Sequence, residues 1–122
     1  MTSLKVMIVE DEWLIAVSLA QMLKSFGYTV TSISPTGEMA LVKAKIDKPN
    51  IILMDIQLSG ELNGLETASI IQSSQDVFIL FVTAHGNNHI KEKMKEIKRY
   101  DLLLKPVEPY ELKSCIENAV CI

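Results

Sequence analysis

Residues 51–64 read IILMDIQLSGELNG. Ile51 to Met54 form an unbroken apolar run, and Asp55 follows with no polar spacer. Acidic side chains are almost never fully buried unless paired. Asp55 therefore stands where a buried strand leaves the core, and something must offset its charge.

Four more short apolar segments share this character: LKVMIV (4–9), YTVTSI (28–33), DVFILFV (76–82) and DLLLK (101–105). Several are apolar without alternation, the pattern of strands covered on both faces. Helical spacing fills the intervals. Ile15, Leu19, Met22 and Phe26 recur at helical intervals before Gly27. Met39, Val42 and Ile46 recur before Pro49, and Leu65, Ala68 and Ile71 after Gly64. Ile90, Met94 and Ile97 repeat the pattern, and Leu112, Ile116 and Ala119 follow Pro109, which suits a first helical turn. A strand–helix unit carried five times predicts an α/β, doubly wound (βα)5 domain with a five-stranded parallel sheet. Residues 1–122 read as one domain, with no linker, repeat or low-complexity tract.

Composition narrows the classes. Apolar residues make up 48% and charged ones 22%, an ordinary globular balance. No apolar run approaches the ~20 residues of a membrane span. A net charge of −3 argues against direct nucleic-acid binding. MTSLKVMIVEDE does not read as a signal peptide, because acids arrive before any long apolar region. Cys115 and Cys121 point to different faces of a helix, so no disulfide is expected and a cytoplasmic protein is.

In doubly wound sheets, ligands bind beyond the carboxyl ends of the strands. Here those ends carry Glu10, Asp11 and Glu12, then Asp55, then Thr83 and His85, then Lys105 and Pro106. Clustered carboxylates repel unless a cation joins them. Mg²⁺ prefers oxygen ligands and takes one or two carboxylates plus phosphate oxygens and water. Asp11 and Asp55 can ligate directly, and Glu10 can hold a metal-bound water. Lys105 can pair with a carboxylate or a phosphoryl oxygen, and Thr83 can donate to the same oxygen. A carboxylate so placed can act as a nucleophile and form an aspartyl phosphate.

KVMIVEDE, ILMDIQLSGELNG, FVTAH and LLLKP, in that order and spacing, resemble the receiver domain of two-component response regulators across essentially the whole chain. The resemblance implies a flavodoxin-like fold and a phosphorelay switch. Asp55 would accept a phosphoryl group from a sensor histidine kinase or histidine phosphotransfer protein. It implies Mg²⁺ held by Asp11, Asp55 and the Gln57 backbone carbonyl, with Glu10 acting through water. Thr83 would be the switch hydroxyl, Lys105 would hold the phosphoryl group, and the Lys105–Pro106 bond would be cis. Output contacts would lie in residues 86–120, through an unknown output domain or protein, and a homodimer is a further option. The chain would not be an enzyme beyond its own phosphorylation and dephosphorylation.

Three departures stand out. Ser59 sits where relatives have Pro, and Gly64 arrives one residue late, so SGELNG is longer and a reshaped loop is expected. Leu102 occupies the position of the family's aromatic switch residue, which puts the coupling onto Thr83 and the following loop or weakens it. Gln57 and His85 flank the reaction site and would tune the phosphate lifetime, by hindering the attacking water or, for His85, by orienting it.

Other readings carry less. A Mg²⁺-dependent phosphatase with an aspartyl nucleophile is the alternative, but Gln57 stands where its general acid would be and cannot protonate a leaving group. Acids after the first strand argue against a flavin phosphate loop, and no GxxxxGK[ST] motif is present. His85 and His89 have zinc-like spacing without a third ligand nearby. The basic run Lys91 to Arg99 reads as a solvated helix face or a partner surface. Trp13, beside the acids, is either partly buried or exposed for docking a kinase.

Overall fold

The computed structural model describes residues 3–84 and 92–120. Five parallel strands form one sheet: β1 (Lys5–Val9), β2 (Thr29–Ser34), β3 (Ile51–Met54), β4 (Phe78–Thr83) and β5 (Tyr100–Leu104). Their spatial order is β2-β1-β3-β4-β5. The crossover direction reverses between β1 and β3, which opens a crevice at their carboxyl ends. Four helices are described: α1 (Trp13–Ser25), α2 (Gly37–Asp47), α3 (Gly64–Gln72) and α4 (Pro109–Val120). A short helical turn at 92–94 precedes β5.

The apolar runs become strands because both faces of the sheet are covered. One face presents Met7, Val9, Ile52, Met54, Ile79 and Phe81 to a layer that includes α2, α3, Met94 and Ile97. The other presents Val6, Ile8, Ile51, Leu53, Leu80 and Val82 to α1 and α4. Alternate residues of β1, β3 and β4 thus serve opposite layers, and the sequence shows continuous hydrophobicity.

The helices follow their predicted stripes unevenly. Leu65, Ala68 and Ile71 of α3, and Leu112 and Ile116 of α4, are buried as expected. In α1 the buried line is Ala16, Leu19, Ala20 and Leu23; Leu19 of the expected stripe lies on it, and Ile15, Met22 and Phe26 pack along its flank. For α2 the expectation is overturned. Met39, Val42 and Ile46 are 47, 59 and 68% exposed, whereas Ala40 and Ala44 join the core against the sheet and Gly37 is buried against Thr67 and Leu62. Small residues let α2 approach closely, and a count of large apolar side chains cannot register them. Cys115 is a free thiol whose pKa is pushed up to about 11, first by burial and then by Asp101. Ile90 and Cys121 lie outside the described residues.

Two caps position the loops above the crevice. Thr36 caps α2 by accepting from the Met39 amide at 3.2 Å. Asn63 and Glu66 form a reciprocal capping box on α3: the Glu66 amide donates to Asn63 Oδ1 at 2.8 Å, and the Asn63 amide to Glu66 Oε1 at 3.1 Å.

Candidate functional site

The ladder carries Glu10 and Asp55 one residue past their strands. The Asp55 amide donates to the Val9 carbonyl, and the Glu10 amide to the Ser34 carbonyl, each at 3.0 Å. The two acids are consequently buried, at 3% exposure for Glu10 and 7% for Asp55, while Asp11 turns out to solvent. Glu10, Asp11 and Asp55 each offer a carboxylate oxygen within 4.8 Å of the others. Asp11 and Asp55 border a cleft of about 350 Å³ whose wall includes Gln57, Ser59, Ala84 and Lys105, and Glu10 lies behind it against Lys105.

Lys105 reaches this cluster from the end of β5. Its Nζ donates to Glu10 Oε1 at 2.7 Å and to Asp55 Oδ2 at 3.4 Å. Its backbone amide donates to the Thr83 carbonyl at 2.8 Å. The Lys105–Pro106 peptide bond is cis. Thr83 ends β4 and is 2% exposed.

The charges are unequal in their surroundings. Burial pushes the Glu10 carboxyl up to about 7, and the nearby Asp55 charge adds to it, while the Lys105 hydrogen bond and the Glu12 amide offset only part. Burial alone would lower the Lys105 ammonium. The Glu10 hydrogen bond and the charges of Asp55 and Glu10 outweigh it and raise the pKa. One lysine thus serves two buried acids, and the site holds more negative than positive charge.

That excess suits a hard divalent cation. The three carboxylates offer only oxygen donors, among the described residues no thiol or imidazole joins them, and Asp11 and Asp55 border an open cleft, so the donor set fits Mg²⁺.

The loop beyond Asp55 is tied at several points. The Gln57 amide donates to Asp55 Oδ1 at 3.2 Å, and the Gly64 amide to the Ile56 carbonyl at 2.8 Å. Gly64 begins α3 against the backbone of Asp55, and a Cβ there would run into the Asp55 carbonyl oxygen. Ser59 bridges Thr36 as an isolated parallel pair, Gly60 takes φ +100°, and the Glu38 carboxylate accepts from the Glu61 and Leu62 amides at 3.1 and 2.9 Å. Through these contacts the loop folds onto the first turn of α2.

The structure brings Asp11, Asp55, Gln57 and Lys105 to the cleft, with Glu10 behind them in the acid cluster and Thr83 ending the neighbouring strand. Leu102 is half-buried within β5, pairs with Phe81 across the ladder and packs against the core layer that holds it. Tyr100, which sits two residues earlier, meets the Phe81 ring edge-on at 6.2 Å. Trp13 is 66% exposed. His85 and His89 lie outside the described residues. Sequence reasoning missed that Glu10 is the nearer partner of Lys105, that Ser59 donates to Asp11 Oδ2 at 2.8 Å, and that Glu38 binds the loop. The longer loop was the one signal pointing toward the last two.

The fold and the sequence have close counterparts. A family model for the response regulator receiver domain matches residues 6–117. The chain is 32% identical over 116 residues to the transcriptional regulatory protein PdtaR of Mycobacterium tuberculosis, across 95% of this chain and 56% of that protein. It is 32% identical over 114 residues to the alkaline phosphatase synthesis regulator PhoP of Bacillus subtilis, across 93% of this chain and 47% of that one. The signal receiver domain of a modulated diguanylate cyclase from Desulfovibrio desulfuricans superposes with a TM-score of 0.91 at 34% identity, covering 98% of this chain and 94% of that one. The receiver domain of the sensor histidine kinase PA1611 from Pseudomonas aeruginosa, solved with a magnesium ion in its active-site cleft, superposes at 0.84 with 27% identity, covering 96% and 97%. The chain belongs to the response regulator receiver domain family, the switch modules of two-component signalling. It spans about half the length of the curated relatives it matches. Among the described residues, no helix is long and apolar enough to cross a membrane.

Proposed function

We propose that Asp55 accepts a phosphoryl group from a phosphohistidine, with Mg²⁺ in the acid cleft, and that the added charge shifts the conformation of the domain. The observation that carries this reading is the meeting of Asp55 with Lys105 Nζ at 3.4 Å, inside a cluster of three carboxylates. Asp11, Asp55 and the Gln57 carbonyl would hold the cation, with Glu10 acting through water. When bound, Mg²⁺ neutralises charge on the transferring phosphoryl oxygens. Its presence in the PA1611 receiver supports the assignment.

In the transfer, an Asp55 oxygen attacks phosphorus, the P–N bond breaks, and its electron pair stays on the imidazole nitrogen. Lys105 follows the charge as it moves from the Asp55 carboxylate to the phosphoryl oxygens. Thr83 donates its hydroxyl to one of those oxygens. Hydrolysis later returns Asp55 as a carboxylate when water attacks the same phosphorus, and Gln57 and His85 set how readily that water arrives.

A phosphorylated side chain carries roughly −1.5 to −2 charge. That charge draws Thr83 and Lys105 together and biases a two-state equilibrium. Leu102 lacks an aromatic ring to trade between rotamers, so the response runs through Thr83 and the segment after it. The donor is a sensor histidine kinase or a histidine phosphotransfer protein. Output runs through residues 86–120, to a partner, a further domain or a second copy. The cytoplasm is the compartment that suits such a donor.

Incubation with acetyl phosphate and Mg²⁺, followed by intact mass and phosphate release, tests the reading. A lasting one-to-one adduct of about 80 Da, lost when Mg²⁺ is chelated, is expected. Catalytic hydrolysis of an added phosphoester, p-nitrophenyl phosphate, without an adduct would favour the aspartyl phosphatase instead.

A further inference from the structure

We propose that Ser59 is a positioning residue for the cation: its hydroxyl holds the exposed Asp11 carboxylate in place and so raises the affinity of the cleft for Mg²⁺. The inference rests on the reading of the acid cleft as a Mg²⁺ site. Ser59 Oγ donates to Asp11 Oδ2 at 2.8 Å across a separation of 48 residues. Of the three acids, Asp11 is the exposed one, so its side chain has the most freedom to lose on ligation. Glu10 and Asp55 are already fixed by burial and by Lys105. A carboxylate has about four lone-pair sites, and one hydrogen bond leaves the others for a cation. Fixing the ligand before the cation arrives removes an entropic cost, the usual effect of partners behind a metal ligand.

A serine on a loose loop could not do this, and this loop is not loose. Ser59 pairs with Thr36 in an isolated bridge, and the Glu61 and Leu62 amides bind the Glu38 carboxylate. Gly60, at φ +100°, turns the chain so closely over Glu38 that a Cβ would lie 2.8 Å from Glu38 Oε2. Glu38 is held as an anion. The backbone amides of Glu38 itself, Leu62 and Glu61, with the Thr36 hydroxyl, keep its carboxyl below the usual range. A continuous series of contacts therefore runs from the first turn of α2, through the lengthened loop, to Asp11. The glutamate that holds the loop and the serine that reaches Asp11 belong to one device.

Titration of the full chain with MgCl₂, followed by the amide shifts of Asp11, Asp55 and Gln57, tests the proposal. Ser59→Ala should bind Mg²⁺ about 10-fold more weakly than wild type. Ser59→Thr, which keeps the hydroxyl, should recover most of that loss. The thermal midpoint of Ser59→Ala in EDTA should match wild type, which separates ligand positioning from damage to the fold. Equal affinity in Ser59→Ala, or a Ser59→Thr that binds as weakly as Ser59→Ala, overturns the proposal and leaves the Mg²⁺ reading intact. A wild type that takes no Mg²⁺ overturns both.

Discussion

Strand β5 is flanked by a cation at each end, and both reach a carboxylate oxygen at 2.7 Å. Before it, Arg99 pairs with Asp76 with the side chains 48 and 86% exposed. After it, Lys105 pairs with Glu10 with the side chains 17 and 2% exposed. Equal distance hides unequal physics. Two unit charges about 4 Å apart attract by about 1 kcal/mol in water and about 4 at an effective dielectric near 20. At the amino edge, water competes and salt screens. At the carboxyl edge, removing the cation would strand two acids that water reaches poorly. The first pair decorates the fold, and the second organises a site.

The comparison breaks most readily at Lys105. Lys105→Ala should lower unfolding free energy by about 3 kcal/mol, the cost of leaving a buried charge without its partner. Chemical denaturation measures it, and Glu10→Gln added to Lys105→Ala should recover part of the loss. A cost below that of Arg99→Ala would show that burial does not distinguish the two pairs.

Gly64→Ala comes next. Its Cβ would meet the Asp55 carbonyl, which is backbone and cannot step aside, so roughly 2 kcal/mol is expected from overpacking. Amide shifts should change at Asp55 and Ile56 while those of Gln75 and Asp76 stay put. Shifts spread evenly over both edges would mean that the edges are not independent.

At the amino edge the effects are smaller. Gln72 Nε2 donates to the Val77 and Arg99 carbonyls at 3.0 and 3.1 Å, and Gln72 Oε1 accepts from the Lys98 amide at 3.0 Å. Its truncation to Ala should cost about 1 kcal/mol, with Mg²⁺ affinity unchanged. Arg99→Ala should cost about 0.5 kcal/mol or less, and added salt should erase the difference. A larger or salt-insensitive cost would mean that the surface pair is worth more than its exposure implies.

The carboxyl edge was largely legible in the sequence, and for a physical reason. Strands buried on both faces leave runs such as IILM and FILFV, and the residue after each run must lie at one edge of the sheet. Asp11, Asp55, Thr83 and Lys105 could therefore be gathered before any coordinates. What stayed hidden depends on direction and packing. Met39, Val42 and Ile46 have helical spacing, yet α2 buries Ala40 and Ala44 against the sheet and Gly37 against Thr67 and Leu62, because close approach favours small side chains. Glu10 looked like a distant helper, and its burial makes it the nearer partner of Lys105. The contacts of Ser59 and Glu38 cross 48 and 24 residues, and no local pattern encodes them.

The central claim is that Asp55, among three clustered acids, is the one that carries phosphate. After exposure to acetyl phosphate and Mg²⁺, borohydride reduces an aspartyl phosphate to homoserine, and peptide mass locates the change. A loss of about 14 Da at residue 55 alone, absent without Mg²⁺, is predicted from acyl-phosphate chemistry. Reduction at Asp11 or Glu10, or no reduction anywhere, would contradict the account.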